Sequence, residues 1–146
     1  MGTIREILRQ KQGQPLRVAH PDETVLQATK RMNEFGIGAL LVMEGAQLVG
    51  IFTERDVLRR VVAEERQPAA VRVAEVMTTN IACATADTTI DDARNIMKQR
   101  RIRHLPIVNA RGEAEGLISI GDLNAYDATN HEVTIHYLQE YLHGRV

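Results

Sequence analysis

Two short stretches carry residue types that suit a polar ligand. Gly50-Ile-Phe-Thr-Glu-Arg-Asp56 and Gly116-Leu-Ile-Ser-Ile-Gly-Asp122 each set a hydroxyl, Thr53 or Ser119, three residues ahead of a carboxylate, Asp56 or Asp122. In both, a strand-length apolar run gives way at that point to sequence that can open a helix. The first N–H groups of a helix lack intrahelical partners and the helix dipole adds positive potential, a combination that favours a phosphate. Thr53 or Ser119 can add a hydroxyl donor to the same group. A carboxylate one turn further in would repel a phosphate, so Asp56 and Asp122 suit the hydroxyls of a sugar, accepted in charge-assisted bonds. The same spacing is a capping-box pattern, with the hydroxyl capping the helix and the acid at its third position. Capping and ligand contact use one junction, and both can hold.

The elements that must position these residues occur twice. Asp22-Glu23-Thr24-Val25 opens one segment and Asp87-Thr88-Thr89-Ile90 another; at that offset Ala28 matches Ala93, Met32 matches Met97, Ile37 matches Ile102 and Leu40 matches Leu105. One extra residue enters the second copy at Asn109-Ala110-Arg111-Gly112, where the first has Glu44-Gly45. Beyond it Gly50 meets Gly116 and Asp56 meets Asp122. A turn between strands is where a duplicated hairpin tolerates an insertion. Val25, Ala28, Met32 and Phe35 recur at helical spacing, as do Ile90, Ala93, Ile96 and Met97, with Asp22 or Thr24 and Asp87 or Thr88 available as N-caps. Ala39–Met43 with Leu48–Phe52, and Leu105–Val108 with Gly116–Ile118, read as hairpins. Short extended stretches, Leu16-Arg17-Val18 and Ile81-Ala82-Cys83, precede the first helices, and second helices start near Glu54 and Ile120. Each copy reads β-α-β-β-α. A unit of roughly 50–60 residues buries too little surface alone, so the copies are expected to cover each other's sheet faces in one α+β body with pseudo-twofold symmetry. The expected divisions are an extension over 1–13, a first repeat over 14–66, a linker over 67–77, a second repeat over 78–128 and a tail over 129–146. Thr3–Lys11 suits a helix with Ile4, Ile7 and Leu8 on one face. Val133, His136, Tyr137, Glu140 and Tyr141, with Leu138 and Leu142 alongside, suggest an amphipathic tail helix stopped by Gly144.

Composition narrows the function classes. A formal net charge of −1 over 146 residues lacks the basic footprint of a nucleic-acid partner. No apolar run approaches the roughly 20 residues needed to cross a bilayer, and the polar start, Met1–Gln12, is unlike a secretory signal. A soluble, cytoplasmic protein is expected, with no membrane partner. Cys83 is the only cysteine, which excludes an intrachain disulfide; it is expected to be a buried apolar group on a strand. Gly36-Ile-Gly38 follows a helix, so it is a helix stop and not a dinucleotide fingerprint. No phosphate-loop Gly-Lys-Ser/Thr occurs, and His131, Glu132 and His136 miss the spacing of a zinc-binding helix. The chain offers no base–nucleophile–orienter set and no metal-ligand set, so no catalytic residue and no metal are expected.

The two Gly-h-h-[Ser/Thr]-x-x-Asp stretches, together with Arg103-His-Leu-Pro-Ile-Val108 before the second, resemble the signature of CBS domains, the module named after cystathionine β-synthase. The resemblance covers roughly residues 14–128, in both copies and in order, and the chain resembles small stand-alone bacterial proteins made of one CBS pair with short end extensions. It implies two clefts related by the pseudo-twofold, taking adenosine ligands: AMP foremost, ATP or NAD as alternatives, with S-adenosylmethionine also in the family's range. It implies a regulatory, non-enzymatic module with an unspecified downstream protein target. It further implies a homodimer formed by the helices of both copies, with Tyr137, Tyr141 and Leu142 of the tail covering or extending that contact. A structural homodimer with vestigial clefts is the alternative. The first cleft would hold Thr53, Arg55 and Asp56 with Thr79, Asn80, Ile81, Ile102, Arg103 and His104. The second would hold Ser119, Gly121 and Asp122 with Gln14, Pro15, Leu16, Ile37, Gly38 and Ala39. By family analogy, Gln14-Pro15-Leu16 and Thr79-Asn80-Ile81 flank adenine, and Ile37 and Ile102 pack on it. Arg103 and His104 would face the phosphate held by Thr53; their counterparts Gly38 and Ala39 are uncharged, and Gly121 stands where the first copy has Arg55. Unequal clefts are expected, the first being the better site for a phosphate.

Overall fold

A threonine starts the first helix of each repeat. In the computed structural model, which describes residues 2–130, Thr24 Oγ1 accepts from Gln27 N–H at the head of α2 (Val25–Phe35), and Gln27 Oε1 accepts in return from Thr24 N–H. Thr89 Oγ1 accepts from Asp92 N–H at the head of α5 (Ile90–Arg100). These bonds satisfy donors that a helix start otherwise leaves unpaired. The buried faces are those the spacing predicts: Val25, Ala28 and Met32 on α2, Ile90, Ala93 and Met97 on α5.

Each of these two helices delivers the chain to a hairpin. In the first repeat β2 (Ala39–Glu44) pairs antiparallel with β3 (Gln47–Thr53), and β1 (Val18–Ala19) adds parallel to β2. In the second, β4 (His104–Val108) pairs antiparallel with β5 (Ala114–Ser119). The extra residue of the second turn is absorbed by Asn109, whose Oδ1 accepts from both Arg111 and Glu113 N–H. Pairing of the first strands begins later than the sequence suggests. The second copy keeps a single parallel bridge, Ala84 to Ile107, and Cys83 is exposed, contrary to expectation. The reason is alternation: Ala19 and Ala84 are the residues that turn inward, 2% and 7% exposed, so the residue before each points out.

The hairpins lead directly into the second helices. After β3 comes α3 (Glu54–Val57), which continues as a π-helical turn, Leu58–Val62; after β5 comes the regular α6 (Ile120–Asn130). Each sheet buries one face under its own helices. Leu40, Val42 and Phe52 join α2 in one core, and Leu105, Ile107 and Ile118 join α5 and Leu123 in another. The alternate positions Leu41, Ile51 and Pro106 are buried as well, because the repeats cover each other's sheets.

The segments outside the repeats complete these cores reciprocally. The stretch expected as a linker forms a 3₁₀ turn, Pro68–Ala70, and α4 (Val73–Val76), whose Val73 and Val76 lie in the first core. The helix expected at the N-terminus is α1 (Ile4–Gln10), and its Ile4 and Ile7 lie in the second core. Matching bonds hold both: Val25 N–H to Val71 O and Val73 N–H to Glu23 O, Ile90 N–H to Gly2 O and Ile4 N–H to Thr88 O. The expected tail helix around Val133–Gly144, with Tyr137, Tyr141 and Leu142, lies outside the described residues.

Candidate functional site

Asp56 is the one charged residue in the core of the described chain, 6% exposed. Its Oδ2 accepts from Thr53 N–H at 2.9 Å and from the Thr53 hydroxyl at 3.2 Å, while Asp56 N–H donates back to Thr53 Oγ1 at 3.3 Å. Its Oδ1 accepts from the Thr78 hydroxyl at 3.3 Å and lies 3.8 Å from Arg60 Nε. The capping box is therefore present, and one carboxylate oxygen is left facing a loosely held partner. Another helix-start donor, Glu54 N–H, donates to Gly38 O at 3.0 Å. Three helix-start donors, the N–H groups of Thr53, Glu54 and Asp56, are thus already paired, and charged side chains can add to the attraction for an anion at this junction.

Those side chains surround a cleft of ≈ 510 Å³ between the repeats. Thr53, Arg55 and Asp56 line one wall; Asn80, Ile81, Ile102, Arg103 and His104 line the other. Eight of the nine residues expected at the first cleft therefore meet in one cavity. The ninth, Thr79, is exposed, and the lining residue from its stretch is Thr78. Sequence reasoning also missed Arg59, Arg60 and Arg100. Arg59 and Arg60 fall three and four residues beyond Asp56, a spacing that brings side chains to one helix face but does not by itself mark a site. Altogether six arginines, at 55, 59, 60, 100, 101 and 103, line the cavity against two acids, Glu54 and Asp56. Such an excess focuses positive potential into a cleft. Arg55 also spans the repeats, donating to Arg101 O at 3.2 Å. Arg101 itself sits in the left-handed region at φ 56, ψ 43, where the first copy has Gly36. His104 is half-buried; that burial pushes its pKa below the usual histidine value, partly offset by Glu54.

The second junction repeats the capping geometry without the cavity's surroundings. Ser119 N–H donates to Asp122 Oδ2 at 2.8 Å, and Asp122 N–H to Ser119 Oγ at 3.0 Å. Lys11 Nζ, arriving from the end of α1, lies 3.0 Å from that same Oδ2. The remaining residues expected here are dispersed. Gly121, Gln14 and Pro15 are exposed. Leu16, 39% exposed, lines a shallow groove with Arg17, Val18, Phe35 and Met43. Ile37 packs on the first core, and Ala39 is buried opposite Thr53 in the sheet. Gly38 serves the first cleft: a Cβ there would meet the Glu54 carboxyl at 3.2 Å and His104 Cε1 at 3.4 Å.

Comparison with known proteins agrees with this duplicated geometry. A sequence profile of the CBS domain matches twice, over residues 4–63 and 73–128; the matches begin at the first residues of α1 and α4. A mitochondrial CBS domain-containing protein of Arabidopsis thaliana, CBSX3, is 33% identical over 128 residues, 84% of this chain, and the chain spans 62% of that relative's length. It spans 18% of a longer Arabidopsis relative, CBSCBSPB3. A solved CBS-domain protein from Burkholderia ambifaria MC40-6 is 41% identical with a TM-score of 0.78, covering 83% of this chain and 90% of that one. The CBS domain pair of protein MJ0100, solved with 5′-methylthioadenosine and S-adenosyl-L-methionine, shares the fold with a TM-score of 0.78 at 23% identity, over 90% and 99% of the two chains.

Proposed function

Since the chain belongs to the CBS-domain family, we propose that it binds an adenine nucleotide in the arginine-lined cleft and acts as a regulatory module through ligand-dependent conformation. AMP is the foremost candidate, with ATP or NAD as alternatives. The observation that carries this reading is Asp56: a buried carboxylate opening onto a ≈ 510 Å³ cleft ringed by six arginines. Its Oδ1 takes the ribose hydroxyls in place of the Thr78 hydroxyl. Arg55, Arg101, Arg103 and His104 take the phosphate. Asn80 and Ile81 flank the base with backbone polar groups, and Ile102 packs on it. The cationic lining favours anionic ligands over S-adenosylmethionine, whose sulfonium it repels. For regulation, the ligand must favour one of two conformations over the other. Binding proceeds without turnover, so incubation with ATP or NAD leaves both intact.

Calorimetric titration with AMP, ATP, NAD and S-adenosylmethionine tests the reading. The three anionic ligands are expected to bind below about 1 mM, which corresponds to roughly 4 kcal/mol, and S-adenosylmethionine more weakly. Asp56→Asn preserves an acceptor for Thr53 N–H but removes the charge. It is expected to weaken AMP by roughly 1.5–3 kcal/mol, the value of a hydrogen bond to a charged group. Native protein that binds none of the four, or Asp56→Asn with native affinity, overturns the assignment. The alternative of a structural homodimer draws on Leu58 and Val62, which stand 62% and 59% exposed beside the cleft; it would leave every titration flat.

A further inference from the structure

His104 brings a titratable ring to a position where the first repeat buries a methyl group. Its counterpart Ala39 opens β2 opposite Thr53 and is 1% exposed. His104 opens β4 opposite Ser119 and lines the cleft between the repeats. The ring reaches that cleft beside Gly38. A Cβ on Gly38 would stand 3.2 Å from the Glu54 carboxyl and 3.4 Å from His104 Cε1. An acid from the first repeat and an imidazole from the second thus converge on the space that this glycine leaves. Among the described residues, neither ring nitrogen of His104 has a hydrogen-bond partner.

Charged groups surround the ring. Glu54 faces it from the head of α3, Arg103 from the adjacent position, Asp122 from α6 and Lys11 from the end of α1. Arg55, Asp56 and Arg101 line the same cleft. In the free cleft burial outweighs the acids and pushes the pKa of His104 below the usual histidine value, the direction that leaves the ring neutral near pH 7. A phosphate held by Arg55, Arg101 and Arg103 would stand on one side of the ring with Glu54 on the other. Two anions so placed repel each other unless a cation lies between them. A protonated ring supplies that cation and a donor for each, because both nitrogens of an imidazolium donate.

We infer that His104 couples phosphate binding to proton uptake, so that the module reads pH together with its nucleotide. This rests on the proposed reading that the arginine-lined cleft holds the phosphate. A complex that carries more protons than the free protein is favoured as pH falls, so AMP affinity rises from about pH 8 to about pH 7. The nucleotide works in the opposite direction. A phosphate monoester titrates near roughly pH 6 and arginines favour its dianion, so on binding it can only release protons. Net uptake therefore comes from the protein.

Calorimetry of AMP binding near neutral pH, in buffers of different ionisation heat, counts the protons exchanged. Native protein is expected to take up at least about 0.3 proton more per AMP than His104→Asn does. From about pH 8 to about pH 7 it is expected to gain about twofold more in AMP affinity than the variant gains. His104→Gln repeats the comparison where asparagine disturbs the strand. In NMR spectra of the native protein, the His104 imidazole is expected to titrate at higher pH with AMP bound than without; this reading decides where a variant no longer binds. AMP binding with equal proton counts in native protein and the folded variants, or an imidazole titration that AMP leaves unmoved, overturns the inference and leaves the first-cleft reading standing. Native protein that binds no AMP overturns that reading, and the inference falls with it.

Discussion

Arg101 holds a backbone conformation that its counterpart Gly36 adopts without strain, φ 56 against φ 63. A side chain in the left-handed region costs roughly 1–2 kcal/mol, and strain of this kind tends to collect at functional sites. Here the side chain lines the cleft and the carbonyl receives Arg55. Arg101→Gly is therefore expected to stabilise the fold by about 1 kcal/mol while weakening AMP several-fold; urea midpoints and titration read the two effects separately. A variant that is destabilised, or that binds like the native chain, contradicts the role. His104 makes a second residue-scale prediction. Burial lowers its pKa, with Glu54 opposing from α3, Arg103 assisting from the adjacent position, Asp122 opposing from α6 and Lys11 assisting from α1. A folded pKa below that of the unfolded chain means that the unfolded state binds more protons as pH falls through about 6.5, so stability is lost in that direction. The native protein should lose more melting temperature between about pH 7.5 and 5.5 than His104→Asn does. Equal losses would remove histidine 104 from the account. Arg59, Arg60 and Arg100 were illegible as site residues because charge on a helix is normally solvated; only the placement of the π turn and of the α5 end around one cavity reveals them.

At the scale of elements, the helices were legible from their apolar spacing and, for α2, from the Thr24 cap; the cap of α5 is Thr89, not the Asp87 or Thr88 that the sequence suggests. Thr24 and Gln27 form a reciprocal box, and Thr24→Ala is expected to cost about 1 kcal/mol of unfolding free energy, measurable by chemical denaturation; no loss would mean the box is not stabilising α2. The hairpins were legible from apolar runs broken by Gly45 and Gly112, both in positive φ. The first strands were less so. Leu16–Val18 and Ile81–Cys83 look extended, but the alanines that follow are what the cores accept, and that choice is made by neighbouring helices. The reach of α1 had no local signature at all. Lys11 and Asp122 are 111 residues apart, and nothing near Lys11 marks it as a partner for a carboxylate. The π-helical turn after α3 was equally hidden, since Leu58–Val62 reads as ordinary helix; it sets Leu58, Arg59 and Arg60 around the cleft.

At the scale of the molecule, duplication explains the arrangement. Each repeat has its own core, and each core is completed by a helix that precedes the other repeat: α4 for the first, α1 for the second. Near-symmetry builds two junctions, and departures from it make them unequal. Six arginines line the cleft at one, while a lysine pairs with the aspartate of the other. Among the described residues, no helix is long and apolar enough to cross a membrane. The exposed Leu58 and Val62, one helical turn apart, form an apolar step on the second helix of the first repeat. We propose that this step contributes to a homodimer; light scattering at micromolar concentration is expected to give twice the chain mass, and Leu58→Lys to give the monomer. A native monomer would contradict it.

The most direct test of the account is a crystal structure grown with AMP. It should show a nucleotide in the arginine-lined cleft, its ribose hydroxyls about 2.5–3.0 Å from the Asp56 carboxylate and its phosphate among Arg55, Arg101 and Arg103. A nucleotide bound elsewhere, or a cleft that stays empty at saturating AMP while Asp56 remains bonded to Thr78, would contradict it.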